Sequence, residues 1–226
     1  MDEVYKLYRQ GGLITREIHY NKESWKAMDS FATRQSPTIR INYAHAQERV
    51  LRADQNDHTI EERMRLIYYQ LPFQHLPHIL VNYMVIESAR KLNYFPSKHG
   101  MSKYYSPRMI LHHENLDLNK HCKHVLGEYV QAHEERHPKN NNSPRSLDYT
   151  YLQHTSNHQG GHELLHIQTN RVIIQNTVTT VAIMLSVIEQ AHEIARINKM
   201  QHGLKTTNRE NVTLYNASWS AGVDYE

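Results

Sequence analysis

A single cysteine, Cys122, leaves no partner for an intrachain disulfide in this 226-residue chain and excludes a zinc site built from several cysteines. Long apolar runs are also missing: nothing approaches the ~20 residues that a bilayer-spanning helix needs. The opening MDEVYKLYRQ lacks the apolar stretch of a signal peptide. The expectation is a soluble chain inside the cell, in nucleus or cytoplasm, with no membrane partner. Nor is there an excess of one charge. A formal net charge of +3 and a pI near 8.8 permit nucleic-acid binding without demanding it. Histidine is abundant instead: the 18 imidazoles would add much positive charge below their usual titration range near ~6.5. Asn141, Asn211 and Asn216 head N-x-Ser/Thr triplets, which without secretion read as chance rather than glycosylation sites.

In chain order, Val4, Leu7 and Tyr8 recur at helical spacing until Gly11 and Gly12 stop them. A strand is expected over 13–20, with Ile14, Ile18 and Tyr20 on one face and Asn21 at its end. Trp25, Met28, Phe31 and Ala32 predict a helix that breaks at Ser36 and Pro37. Ile39, Ile41 and Tyr43 then alternate as a second strand. A polar loop carrying Asp54 and Asp57 is expected to lead into a helix with Ile60, Met64, Ile67 and Leu71 on its buried stripe. Thr59 and Glu62 have capping-box spacing. Pro72 and Pro77 flank a turn before another helix, which ends near Asn93. Alternating helices and strands predict an α/β layer with a mostly parallel sheet over 1–95. Two strands make a thin sheet, so this layer reads as a fragment that more strands, or a partner chain, would complete.

From 96 to 120 the texture is that of a linker, with Pro107 opening a short helical turn. Apolar runs at 125–130, 147–152, 163–168, 171–175 and 178–184, separated by turn signals, predict a small antiparallel β barrel over 121–185. Ser186 and Glu189 repeat the capping-box spacing ahead of Val187, Ala191, Ile194 and Ile197. That amphipathic helix should stop by Gly203, followed by a flexible tail to 226.

The ordered pieces IHYNKE, ERMR, LPFQHLPHILV, ESARKLNYFPSKHGMS, YYSPRMILHHENLD, HCKHVLGEYVQAHEE, QGGHELLHIQTNRVI, GLKTTNRE and SWSAGVDY span nearly the whole chain. Together the sequence resembles the integrase region of copia-type retrotransposon Pol polyproteins. The resemblance implies the C-terminal half of a ribonuclease-H-like core, then an SH3-like barrel, then a linker. It also implies an ancestral strand-transfer enzyme in which three carboxylates hold two Mg²⁺ ions, stabilising both the attacking and the leaving oxygen. The first carboxylate has no counterpart here. The second falls on Asn21, an amide without charge. The third falls on Asp54, whose oxygens would sit about 1 to 1.5 Å further back than those of Glu. Displacement of that size alone can cost ~100-fold. The implied protein is a catalytically inert remnant that needs no cofactor, is marginally stable because its sheet edge is uncovered, and could self-associate or pair with a partner chain.

Three other constellations carry chemistry. Arg63, Arg65, Arg90, Lys91, Lys98, Lys103 and Arg108, interleaved with Tyr68, Tyr69, Tyr104 and Tyr105, could hold the backbone of duplex DNA or form an ordinary solvated face. His162-Glu163-Leu164-Leu165-His166 is a literal H-E-x-x-H, the zinc-protease signature, which needs a helix to bring both imidazoles to one metal. Its setting of two preceding glycines and following β-branched residues predicts a strand, on which the two His stand about 13 Å apart. His121, Cys122, His124, His133 and His137 could surround zinc, but read as solvated histidines beside a buried cysteine. The alternative from another class is a domesticated protein–protein interaction module using the barrel or the last helix.

Overall fold

The computed structural model describes residues 1–21, 25–34, 39–44, 51–98, 100–133, 146–155, 160–200, 203, 206–207 and 213–215. They form a mixed α/β protein of two compact units: Met1–Glu62 with Ala89–Leu116, and Arg63–Ser88 with Asp117–Glu226.

In the first unit, α1 (Asp2–Gln10) carries Asp2 and Glu3 in its first turn and Arg9 in its last, the arrangement that suits the helix dipole. It packs on α5 (Pro107–His112) so closely that a Cβ on Gly11 would lie 2.9 Å from the Leu111 carbonyl oxygen. Ser106 caps α5 by accepting from the Met109 amide at 3.2 Å, with Pro107 in the first turn where a missing N–H costs nothing. Next, β1 (Glu17–Asn21), α2 (Trp25–Thr33) and β2 (Arg40–Ala44) make a parallel pair joined through a helix, from Glu17 opposite Arg40 to Asn21 opposite Ala44. Its core is small: Phe31, Ala32 and Ile39 are buried, with Tyr5, Ile18 and Ile41 packed against them.

The helix α3 (Leu51–Gln70) starts earlier than its apolar stripe suggests. No Gly or Pro interrupts 51–59, so helix propagates through the polar residues expected to form a loop. Thr59 is therefore interior, and its hydroxyl donates to the Gln55 carbonyl at 2.8 Å, so the capping box with Glu62 does not form. After α4 (His78–Leu92), the stretch read as a linker contains both α5 and α6 (Leu118–His121), the latter capped by Asp117.

The second unit is built on a five-stranded antiparallel sheet of β3 (Tyr129–His133), β4 (Ser146–His154), β5 (His162–His166), β6 (Arg171–Gln175) and β7 (Val178–Thr180), in the order β6-β5-β4-β3-β7. β3 begins later than expected because Gly127, at φ +84°, breaks the run from Val125. Only Asn176 and Thr177 separate the two edge strands in sequence. Across a flat sheet those edges would be about four strand spacings, ~19 Å, apart, beyond the ~11 Å that so short a connection spans. The sheet must curl, and Ile173 and Val178 from opposite edges accordingly join one apolar cluster with Val130, Ala132, Tyr149, Tyr151 and Leu164. Yet β6 pairs only with β5, and β7 only with β3, among the described residues. The expected closed barrel is thus corrected to a curled, open sheet.

On its other face the sheet places Leu126, Leu152 and Leu165 against Phe73, Leu76, Leu80 and Met84, with Ala191 from α7 (Leu185–Ile197). Each such fully buried large side chain contributes roughly 1.5–3 kcal/mol by leaving water. Met184 is the N-cap of α7 and makes no side-chain capping bond; the helix starts one residue ahead of Ser186, so that capping box is also absent. The 71–77 turn is tied down by the Gln74 amide donating to His192 Nε2 at 3.2 Å and by His75 Nε2 and the Met200 carbonyl oxygen, 2.6 Å apart. The tail contains a short antiparallel pair, β8 (Thr206–Thr207) and β9 (Thr213–Tyr215), where no periodic structure was expected. No helix among the described residues is long and apolar enough to cross a membrane.

Candidate functional site

Asn21 closes β1, and its side chain lies outside the described residues. Asp54 stands exposed in the first turn of α3. A carboxylate there meets the positive end of the helix dipole, which is stabilising without any metal. Among the described residues no group of three or more His, Cys, Asp or Glu is arranged to hold a metal ion. An amide and one exposed Asp do not fit a pair of Mg²⁺ ions, which demand several converging oxygens.

The seven cations separate. Arg63 and Arg65, half-buried, belong to the second unit, while Arg90, Lys91, Lys98, Lys103 and Arg108 lie in the first. Arg108 is committed to Glu114 through a 2.7 Å ion pair with its own side chain only 13% exposed. Lys98 and Lys103 are exposed. Beside them Phe95, Met101, Tyr104 and Tyr105 are exposed by 57%, 80%, 86% and 53%. Phe95 and Met101 are the members of this surface that the sequence reading did not single out. Their signal was the absence of acid: no Asp or Glu occurs from Ser88 to His113. Tyr68 and Tyr69, in the second unit, meet edge to face at 5.5 Å. The Tyr68 hydroxyl donates to the Gln74 carbonyl, and burial, then Tyr69, pushes its pKa up.

The H-E-x-x-H motif lies on β5, as its setting predicted, with its histidines at the two ends of the strand. Each member has a structural task. Glu163 Oε2 accepts from the Tyr83 hydroxyl and from Gln153 Nε2, both at 2.7 Å, tying α4 to the sheet. His166 Nδ1 accepts from the Thr169 amide at 3.2 Å, fixing the β5–β6 turn in which Asn170 takes φ +52°. His162 sits opposite His154 in the β4–β5 ladder.

Among the described residues His162 belongs to a group of four histidines. Ring centroids are 5.6 Å apart for His154 and His162, 5.4 Å for His124 and His162, and 5.0 Å for His121 and His154, with Tyr151 against both His124 and His162. His124 Nδ1 donates to Glu128 at 3.2 Å, and Thr180 Oγ1 donates to the other oxygen of that carboxylate at 2.8 Å, which fastens edge strand β7. His124 Nε2 and His162 Nδ1 are buried without hydrogen-bond partners among the described residues. Burial, then His124, then Lys123 lowers the pKa of His162. The expected roles are reversed here: Cys122 is exposed as the C-cap of α6, and His124 is buried, its ring against Tyr151 and His162. His133 is exposed at the end of β3, away from this grouping in sequence and burial, and His137 lies outside the described residues. Tyr129 on β3 has its pKa pushed up to about 12, by burial first and then by Asp148 of the paired strand β4.

No protein-family model and no curated protein matches the chain.

Proposed function

We propose that this chain is a degenerate integrase fragment of the copia type, inert in strand transfer and retaining affinity for nucleic acid. The observation that carries the reading is the order β1–α2–β2–α3, with Asn21 ending a strand and Asp54 in a helix's first turn, the kind of strand-end and helix-mouth positions from which carboxylates could converge. The strand order of the second unit, a four-stranded meander whose fifth strand returns beside the first, supports an SH3-like ancestry for 121–185. The amide at 21 lacks the charge that paired Mg²⁺ requires, and the shorter acid at 54 sets its carboxylate back from where a Glu would hold it.

Incubated with Mg²⁺ or Mn²⁺ and a labelled duplex, the purified chain should show no cutting or joining above background, and Asp54→Ala should change neither this nor stability by more than ~0.5 kcal/mol. Metal-dependent strand transfer abolished by Asp54→Ala would overturn the reading. Duplex affinity should fall as salt rises, with a log–log slope of about −0.9 per phosphate contacted. A second reading, a protein–protein module, is favoured by edge strand β6, which exposes Val172 and Ile174 beside a cleft of about 570 Å³ lined by Tyr83, Tyr149 and Glu163. Association that is insensitive to salt and independent of DNA distinguishes it.

A further inference from the structure

We infer that the segment from Phe95 to Tyr105 is a stacking platform for single-stranded nucleic acid, an inference that rests on the nucleic-acid reading above and specifies its ligand. Three observations converge. The first is charge. From Ser88 to His113 the chain holds Arg90, Lys91, Lys98, Lys103 and Arg108 with no acid, five cations in a chain whose net charge is only +3. A polyanion is the complement of such a stretch.

The second is the placement of the rings. Tyr104 is 86% exposed and Tyr105 53%, with Phe95 and Met101 similarly out in water. Large apolar side chains normally leave water when they can. Aromatic faces interleaved with lysines match bases that stack and phosphates that need cations. Duplex DNA fits this surface less well, because its base faces are already stacked on one another and offer a protruding ring nothing but edges and backbone.

The third is that the backbone bearing these rings is fastened. Ser102 Oγ accepts from the amides of Tyr104 and Tyr105 at 3.1 and 3.0 Å, so one side chain orients both residues. The Gly100 amide donates to the Ser97 carbonyl at 3.0 Å, and the Arg108 amide donates to the Asn93 carbonyl at 3.1 Å, closing the segment at both sides. Arg108 is held by Glu114, which leaves Lys98 and Lys103 as the exposed cations beside the rings. Tyrosines carried on a backbone held in this way give up less backbone freedom when a ligand stacks on them.

The test is fluorescence anisotropy of the full chain with a labelled oligothymidylate of roughly 15 nucleotides, and with the same strand in a duplex, across a salt series. The single strand should bind more tightly. Tyr104→Ala and Tyr105→Ala should each weaken it by roughly 5- to 100-fold, without altering the salt slope or the thermal unfolding midpoint, while Tyr104→Phe restores binding because the ring remains. Lys98→Gln and Lys103→Gln should each reduce the slope by about 0.7. Duplex binding that ignores the tyrosine substitutions overturns the platform and leaves the integrase-derived reading standing. Failure to bind either form overturns both. Equal sensitivity of anionic phosphatidylserine vesicle binding to the same substitutions, with no preference for the oligonucleotide, overturns the ligand assignment in favour of a membrane surface.

Discussion

Gly127→Ala should destabilise the second unit by roughly 2–5 kcal/mol, a large fraction of what a domain of this size has in hand. Two costs add. At φ +84° any L side chain pays about 1–2 kcal/mol for the left-handed backbone. A Cβ would also stand 2.0 Å from Leu71 Cδ2, with Leu71 itself packed on the cluster that contains Phe73, Leu80 and Met84. Leu71 cannot swing into solvent without uncovering that cluster, so relief costs a further ~1–3 kcal/mol. The backbone cannot yield either, since the Gly127 amide donates to the Tyr151 carbonyl and the Tyr151 amide to Glu128, both at 2.8 Å. Gly160 is the matched control. Its φ is +80°, but the atom a Cβ would meet is Lys120 Cε, the far end of a flexible side chain, at 2.9 Å. Gly160→Ala should therefore cost only the ~1–2 kcal/mol of backbone strain. Urea unfolding followed by circular dichroism measures both; equal losses would mean that Leu71 does not pack against Gly127.

Much of this architecture is legible in the sequence, and the misses share a physical cause. The apolar runs around Leu147, Leu164 and Val172 predict strands because short apolar runs bounded by turn residues are local properties. Whether those strands close a barrel is not local: it depends on accumulated curl, and β6 and β7 approach without pairing. The start of β3 could have been read from Gly127, and the early start of α3 from the lack of any breaker after Leu51. The two capping boxes failed for one reason: a Ser/Thr-x-x-Glu spacing caps a helix only at its first residue, and both helices had already begun. The histidine grouping was illegible because it depends on ladder register. His154 and His162 flank the connection through Thr155 and Gly161, and pairing of β4 with β5 sets them directly opposite. Sequence proximity instead linked His121, Cys122, His124, His133 and His137, of which, among the described residues, the fold brings only His121 and His124 to that grouping.

That register also makes the second unit sensitive to acid. His162 lies between His124, His154 and Tyr151, and its lowered pKa follows from burial first, then from His124 and Lys123. The charges near the group include Lys120, close to Gly160, and the Glu128 carboxylate that already holds His124. Above about 6.5 the imidazole is neutral in both folded and unfolded chains, and its burial costs nothing in proton binding. As the pH falls below that value the unfolded chain takes up a proton that the folded chain refuses until its own, lower pKa is reached. The unfolded state binds more protons throughout that window, so stability falls with falling pH and levels off below the folded value. With 18 histidines in the chain the wild-type slope alone assigns nothing; the difference from His162→Phe does. Phenylalanine keeps the ring contacts with Tyr151 and the neighbouring imidazoles but cannot titrate. Urea midpoints measured between about pH 7.5 and pH 5.5 should fall less steeply for His162→Phe than for the wild type. If the His162→Phe and wild-type curves run parallel, His162 takes up its proton in the folded state as readily as in water, and the packing of this histidine group is wrong.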